Sequence, residues 1–183
     1  MYYLFYLLFF KTLNSKIIEF DAANWVSKIQ SVHKIQELFR YPEFRELVYY
    51  RAKKNSLFVK LLILFSKTIY NSKTLLFIHT KNIGKGFFIE HGFSTIISAE
   101  SVGMNFHINQ NCTIGWTNAG APRIGDNVKV GCNSVIIGKI NIGSNTIIGA
   151  GAVITKTIPN NCVVIGNPAR IIKKNGERVN IKL

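Results

Sequence analysis

The chain has 183 residues, enough for one domain with a real core plus a helical extension. Hydrophobic residues make up 48% and charged residues 17%, which excludes a disordered chain. Lysine and arginine outnumber acidic residues 23 to 9, a formal net charge of +14, and this surplus points to anionic partners: nucleic acid, a membrane surface or phosphorylated small molecules.

The first ten residues, MYYLFYLLFF, are apolar and end at Lys11. A spanning helix needs about 20. The basic start and small-residue cleavage site of a secretory signal are both missing. Apolar residues then recur at three- and four-residue steps, at Trp25, Ile29, Val32, Ile35, Leu38 and Phe39, which predicts helix through this stretch. Tyr41-Pro42 breaks it, because the residue before a proline is pushed out of the helical region. Pro42 is well placed to open a second helix, PEFRELVYYRAKK. Glu43 and Glu46 sit in its first turns and Arg51, Lys53 and Lys54 in its last, the order that complements the helix dipole. A third helix is predicted from about Ser56 to Tyr70. Its apolar run is interrupted by Lys60 and Lys67, so it is too short and too charged to span a membrane. It fits a packed core helix, a subunit interface, or a segment lying flat on a bilayer.

Near residue 76 the helical period ends, and glycine, asparagine and isoleucine take over. Aliphatic residues now recur six apart: Ile83 and Ile89, then after a one-residue slip Ile96, Val102, Ile108 and Ile114. After a longer interruption come Ile124, Val130, Ile136, Ile142, Ile148 and Ile154. Neither a helix nor an ordinary hairpin sheet holds a period of six. A strand of about three residues followed by a tight corner does, with one aliphatic side chain per six pointing inward and glycine or asparagine supplying the corner angles. Three such faces close a triangular coil of about 18 residues, and stacked coils bury a continuous aliphatic column. The positions above make about four coils. Cys112, Cys132 and Cys162 form no CxxC pair, which argues against a disulfide framework or a zinc finger and for small thiols in a reducing cytosol.

Three segments carry a family resemblance: IGKGFFIEHGFSTIIS (83–98), INQNCTIG with APRIGDNVKVG after a short loop, and IGAGAVITKTIPNNCVVIGNPAR (148–170). Together they resemble the hexapeptide-repeat acyltransferases, in the serine acetyltransferase-like branch, with capsular and colanic-acid polysaccharide O-acetyltransferases as the closer match. The resemblance implies a mainly β fold, a left-handed parallel β-helix prism of about four coils behind an N-terminal helical region. The expected division is 1–75 helical, 76–172 β-helix and 173–183 a C-terminal tail. It also implies an acetyl-CoA-dependent O-acetyltransferase, homotrimeric and needing no metal. The expected location is the cytoplasm, at the inner face of the membrane if the greasy N-terminal stretches touch lipid rather than form an interface.

Within that resemblance His91, in IEHG at the slip of the repeat, matches the general base. Imidazole is suited to removing a hydroxyl proton during attack on a thioester. The family's orienting acid falls here near Leu76, where no acid stands, so Glu90, Glu100 or a backbone carbonyl is left to hold the ring. Glu90 also matches a substrate-contacting position. The N–H of Gly115 or Trp116 matches the oxyanion donor. Cys132 and Ala150 match the small residues beside pantetheine, while Thr155, Lys156 and Arg170 match the remaining cofactor contacts. His107 should face outward beside inward Ile108, His79 precedes the first full coil and His33 lies in a predicted helix; no spacing suits a metal.

The acceptor is read from the loop WTNAGAPR. Where serine acetyltransferases carry an arginine-histidine pair, this chain has Gly120 and Ala121, and the loop offers Trp116 and Asn118, an aromatic face beside an amide. That favours a sugar of a bacterial surface polysaccharide, or its lipid-linked precursor, over serine. Serine O-acetyltransferase is the alternative, and a non-catalytic hexapeptide-repeat assembly protein the second. No motif supports nucleic-acid binding.

Overall fold

The computed structural model describes residues 16–53, 56–70 and 74–183. The expectation for the first ten residues lies outside them. The chain divides into two compact units, residues 1–74 and 75–183.

The first unit holds α1 (Lys16–Lys28), a 3-10 helix (Ile35–Arg40), α2 (Pro42–Ala52) and α3 (Leu57–Ile69). The single helix expected across Trp25 to Phe39 is instead broken after Lys28. The buried positions continue through the break, since Trp25, Val32, Leu38 and Phe39 are all in the core. The backbone, however, straightens at Lys34 (φ −132°, ψ 141°), and the Glu37 carboxylate accepts the His33 N–H at 3.0 Å. His33 therefore lies in the link between helices. At the next boundary Tyr41 is extended (φ −84°, ψ 119°) and Pro42 opens α2, as its fixed φ favours. Trp25, Phe39 and Phe44 pack edge to face, with centroids 5.2 and 5.5 Å apart. A buried ion pair ties α1 to α2, Arg51 Nε to Asp21 Oδ2 at 2.8 Å. Tyr49 on α2 hydrogen-bonds Ser66 on α3, and burial pushes its phenol above the usual range. On α3, Leu57, Phe58, Leu61, Leu64 and Phe65 are exposed. Among the described residues no helix is long and apolar enough to cross a membrane.

The second unit is a parallel β-helix with three faces. The first face carries β1 (Leu76–Ile78), β3 (Thr95–Ile97), β6 (Thr113–Gly115), β9 (Val135–Ile137) and β12 (Val153–Ile154). The second carries β4 (Ser101–Val102), β7 (Arg123–Ile124) and β10 (Asn141–Ile142), extended by bridges at Ile83 and Ile158. The third carries β2 (Phe88–Ile89), β5 (His107–Ile108), β8 (Lys129–Val130), β11 (Ile147–Ile148) and β13 (Cys162–Ile165). Residues 173–183, expected as a tail, contribute to β14 (Arg170–Lys174) and β15 (Glu177–Lys182), an antiparallel hairpin that continues this face.

The aliphatic column is buried as the repeat predicts, with one correction. Ile97 is fully buried and registers with Ile114, while Ile96 is 38% exposed. The slip is therefore larger than the repeat suggested: eight residues from Ile89 to Ile97, then five to Val102. The column also runs one coil beyond Ile154, through Ile158 and Val164.

The corner between the second and third faces is uniform. Asn105, Asn127, Asn145 and Asn161 all adopt φ between 54° and 57°, the left-handed region asparagine tolerates, and Asn175 in the hairpin turn joins them at 51°. Each donates its Nδ2 to the next Oδ1, at 2.9, 3.0, 3.0 and 3.2 Å, so one asparagine ladder descends the prism. Beside it the coils touch through glycine: a Cβ on Gly103 would lie 2.6 Å from the Gly125 carbonyl carbon.

Candidate active site

The other two corners vary in length, and the candidate residues gather there. The third-to-first corner takes six residues from Ile108 to Ile114 and six from Val130 to Ile136, but eight from Ile89 to Ile97. The two extra residues place His91 on a protrusion. Its φ is +52°, an uncommon conformation for a residue with a Cβ, and its side chain is exposed with no hydrogen bond among the described residues. Below it the same corner passes through Gln110, Cys132 and Ala150: the Asn133 N–H donates to the Gln110 carbonyl and the Gly151 N–H to the Cys132 carbonyl. Gln110, which sequence reasoning missed, buries Oε1 without a partner one coil beneath the His91 corner. Arg170 pairs with Ile165, whose side chain faces Gly149 at the foot of this corner. Cys132, Ala150 and Arg170 therefore follow one edge of the prism below His91.

Thr155 and Lys156 are exposed just past β12, on the opposite edge of the first face. The register Gly115↔Ile137 puts Gly115 on that same edge two coils above. Here the spacing from Ile114 to Ile124 is ten, and the extra residues form a small loop closed by Thr117 and Gly120, whose N–H groups each donate to the other's carbonyl at 3.0 and 2.9 Å. Trp116 stands 68% exposed at its mouth, and its N–H has no hydrogen-bond partner among the described residues, which leaves it able to donate to a developing oxyanion. Asn118 is exposed at the tip. Gly120 has φ +132°, which side-chain-bearing residues rarely adopt. Glycine at this position is thus demanded by the shortened loop and says little about the acceptor.

The acids separate into different roles. Glu100 pairs with Arg123 at 2.6 Å, and that hydrogen bond holds its carboxyl below the usual range, so it is not the group that orients His91. Leu76 is buried in the column and offers nothing polar. Glu90 uses Oε2 to accept from His107 Nε2 at 2.8 Å and from Asn109 Nδ2 at 3.2 Å. His107 faces outward as expected but is engaged with Glu90. Burial pushes the Cys112 and Cys162 thiols up, which keeps them protonated and unreactive; Cys132 is part-exposed in the corner wall. No group of three or more metal-ligating side chains occurs among the described residues.

Fold and repeat together make this a parallel β-helix built on a six-residue repeat. The family model "Bacterial transferase hexapeptide (six repeats)" matches residues 121–156. Over 154 residues the chain is 34% identical to a serine acetyltransferase of Synechococcus elongatus, covering 79% of this chain and 63% of that one. A serine acetyltransferase of Staphylococcus epidermidis is 39% identical over 102 residues, 53% of this chain and 48% of its own. The chain thus spans about half to two thirds of the length of these curated relatives. The crystal structure of Neisseria gonorrhoeae serine acetyltransferase in complex with serine superposes with a TM-score of 0.67 at 25% identity, covering 90% of this chain and 71% of that one. These relatives overturn the expectation of a polysaccharide acceptor and of a role in polysaccharide biosynthesis. That expectation rested on Trp116 and Asn118 together with Gly120 and Ala121, and at Gly120 the positive φ of the loop sets the residue independently of the acceptor.

Proposed function

We propose that the chain is an acetyl-CoA-dependent serine O-acetyltransferase with His91 as general base. The observation that carries this reading is the enlarged corner, which presents a bare imidazole at the head of an edge lined by small residues and ending in Arg170. The serine acetyltransferase relatives support the acceptor. His91 removes the serine hydroxyl proton as the oxygen attacks the thioester carbonyl. Because Trp116 stands on the opposite edge of the prism from His91, the Trp116 N–H of a neighbouring subunit, with its Gly115 beside it, receives the oxyanion. The C–S bond then breaks and the CoA thiolate takes the proton back from the imidazolium. Glu90 supplies the negative charge that faces the serine ammonium. Cys132 and Ala150 flank pantetheine and Arg170 holds the nucleotide end on the His91 edge, while Thr155 and Lys156 reach it from the opposite edge of the neighbouring subunit. Trp116 and Asn118 border the acceptor.

Trimeric assembly belongs to the same proposal. The exposed apolar side chains of α3 form the kind of surface that a neighbouring subunit covers. The acetyl-CoA donor places the reaction in the cytoplasm.

The test is thiol release from acetyl-CoA in the presence of serine. Wild type should turn over, and His91→Ala should lose about 10²- to 10⁴-fold in rate while binding acetyl-CoA as before by calorimetry. Undiminished turnover in His91→Ala removes the catalytic assignment. No turnover by wild type favours the non-catalytic assembly protein.

A further inference from the structure

Glu90 and His107 are 17 positions apart in the chain and sit on successive coils of the third face. The geometry of their contact is specific. A carboxylate can only accept, so His107 Nε2 carries the proton it shares with Glu90 at 2.8 Å. Asn109 adds its Nδ2 at 3.2 Å to the same oxygen. The His107 ring is itself held by Phe88, edge-on at 4.9 Å and 82°. Both donors therefore converge on Oε2, and Oε1 has no hydrogen-bond partner among the described residues. The carboxylate follows His91 in neither role nor direction: it immediately precedes the corner that lifts His91 away, and is anchored to the coil beneath.

We propose that His107, assisted by Asn109, is a positioning residue for the acceptor. It pins Glu90 through Oε2, so that Oε1 stands ready as the counter-charge for an ammonium group on the carbon next to the reacting hydroxymethyl. A glutamate held in one rotamer loses little further freedom when the ammonium arrives, whereas an untethered one would have to be ordered by the acceptor itself. The histidine touches neither acceptor nor acetyl-CoA and acts only through Glu90. This inference rests on the amino-alcohol acceptor of the proposed function.

The experiment measures thiol release from acetyl-CoA with two acceptors, serine and ethanolamine, the second carrying the ammonium and hydroxyl without a carboxylate. Wild type is compared with His107→Phe, His107→Gln and Asn109→Ala. His107→Phe should raise the KM for both acceptors about tenfold, the scale of one charge-assisted contact, with kcat and the KM for acetyl-CoA little changed. His107→Gln, whose amide still reaches toward Glu90, should restore most of the affinity, and Asn109→Ala should fall between wild type and His107→Phe. If wild type turns over and His107→Phe keeps the wild-type acceptor KM, the positioning role is wrong while the serine reading stands. A parallel loss of acetyl-CoA affinity, or equal damage from Gln and Phe, makes the role structural and equally overturns it. If wild type uses neither amino alcohol, the serine reading fails and this inference fails with it.

Discussion

Replacing Asn127 by alanine probes what holds the coils in register. The side chain accepts from Asn105 at 2.9 Å and donates to Asn145 at 3.0 Å, and the backbone sits at φ 55°. Each hydrogen bond is worth about 0.5–1.5 kcal/mol net. Placing alanine in the left-handed region adds about 1 kcal/mol. Asn127→Ala should therefore cost about 2–4 kcal/mol. Asn127→Gly loses the same two bonds but relieves the strain. Set against that relief is the extra freedom glycine gives the unfolded chain, about 0.4–1 kcal/mol. The glycine variant should thus be at least as stable as the alanine variant, by up to about 0.6 kcal/mol. Urea unfolding followed by circular dichroism reads both, provided the slope m is unchanged so that midpoints compare directly. A glycine variant less stable than the alanine variant by about 0.4–1 kcal/mol would show that backbone conformation at this corner is not under strain. Wild-type stability in both would show that the ladder contributes nothing.

Arg51→Ala should destabilise the helical unit by about 3–5 kcal/mol, because it breaks a buried ion pair to the 1%-exposed Asp21 carboxylate; a thermal melt shifted by less than that of an exposed charge deletion contradicts it. Lys156→Ala and Arg170→Ala should each weaken acetyl-CoA binding by about 1.5–3 kcal/mol, as expected for hydrogen bonds to a charged group, with a smaller effect on the saturated rate. Calorimetric titration decides, and unchanged affinity takes those residues out of the cofactor site. Light scattering at micromolar concentration should report a trimer of the 20.7-kDa chain, and a monomer removes the shared-interface reading of α3.

The β-helix was legible because its period is set by the backbone. A corner every six residues leaves its mark as glycine, asparagine and isoleucine whatever the protein does. Phase at the slip was not legible: Ile96 and Ile97 are equally aliphatic, and only the register with Thr113 and Ile114 decides which points inward. The last coil escaped notice because the step from Ile154 to Ile158 is four, and the repeat dissolves there although the fold continues. His91 stood out as the residue at the break in the period. From the sequence, Glu90 is a candidate partner of His91 or of the acceptor, and His107 an outward ring with no assigned partner. At this coil the register stacks residues 19 apart, Ile89 over Ile108, so Glu90 lies over Asn109 and in diagonal reach of His107, a pairing that only the register reveals. In the helical unit, burial periodicity survives the break after Lys28 because side chains on a link can still point into the core, and period alone does not distinguish the two cases.

The asparagine corner keeps the same length in every coil: six residues from Ile83 to Ile89, Val102 to Ile108, Ile124 to Val130, Ile142 to Ile148 and Ile158 to Val164. Every insertion and deletion falls at one of the other two corners. The ladder thus works as a hinge pin along which the coils are threaded, fixing their stacking while the opposite edges gain or lose residues. A scaffold of this kind separates two demands that compete in most proteins. New loops can be grafted at Glu90 or Trp116 to change what is recognised, and the core does not have to be redesigned to receive them. The limit to such grafting is set at the ladder, where a single added residue would offset every rung below it.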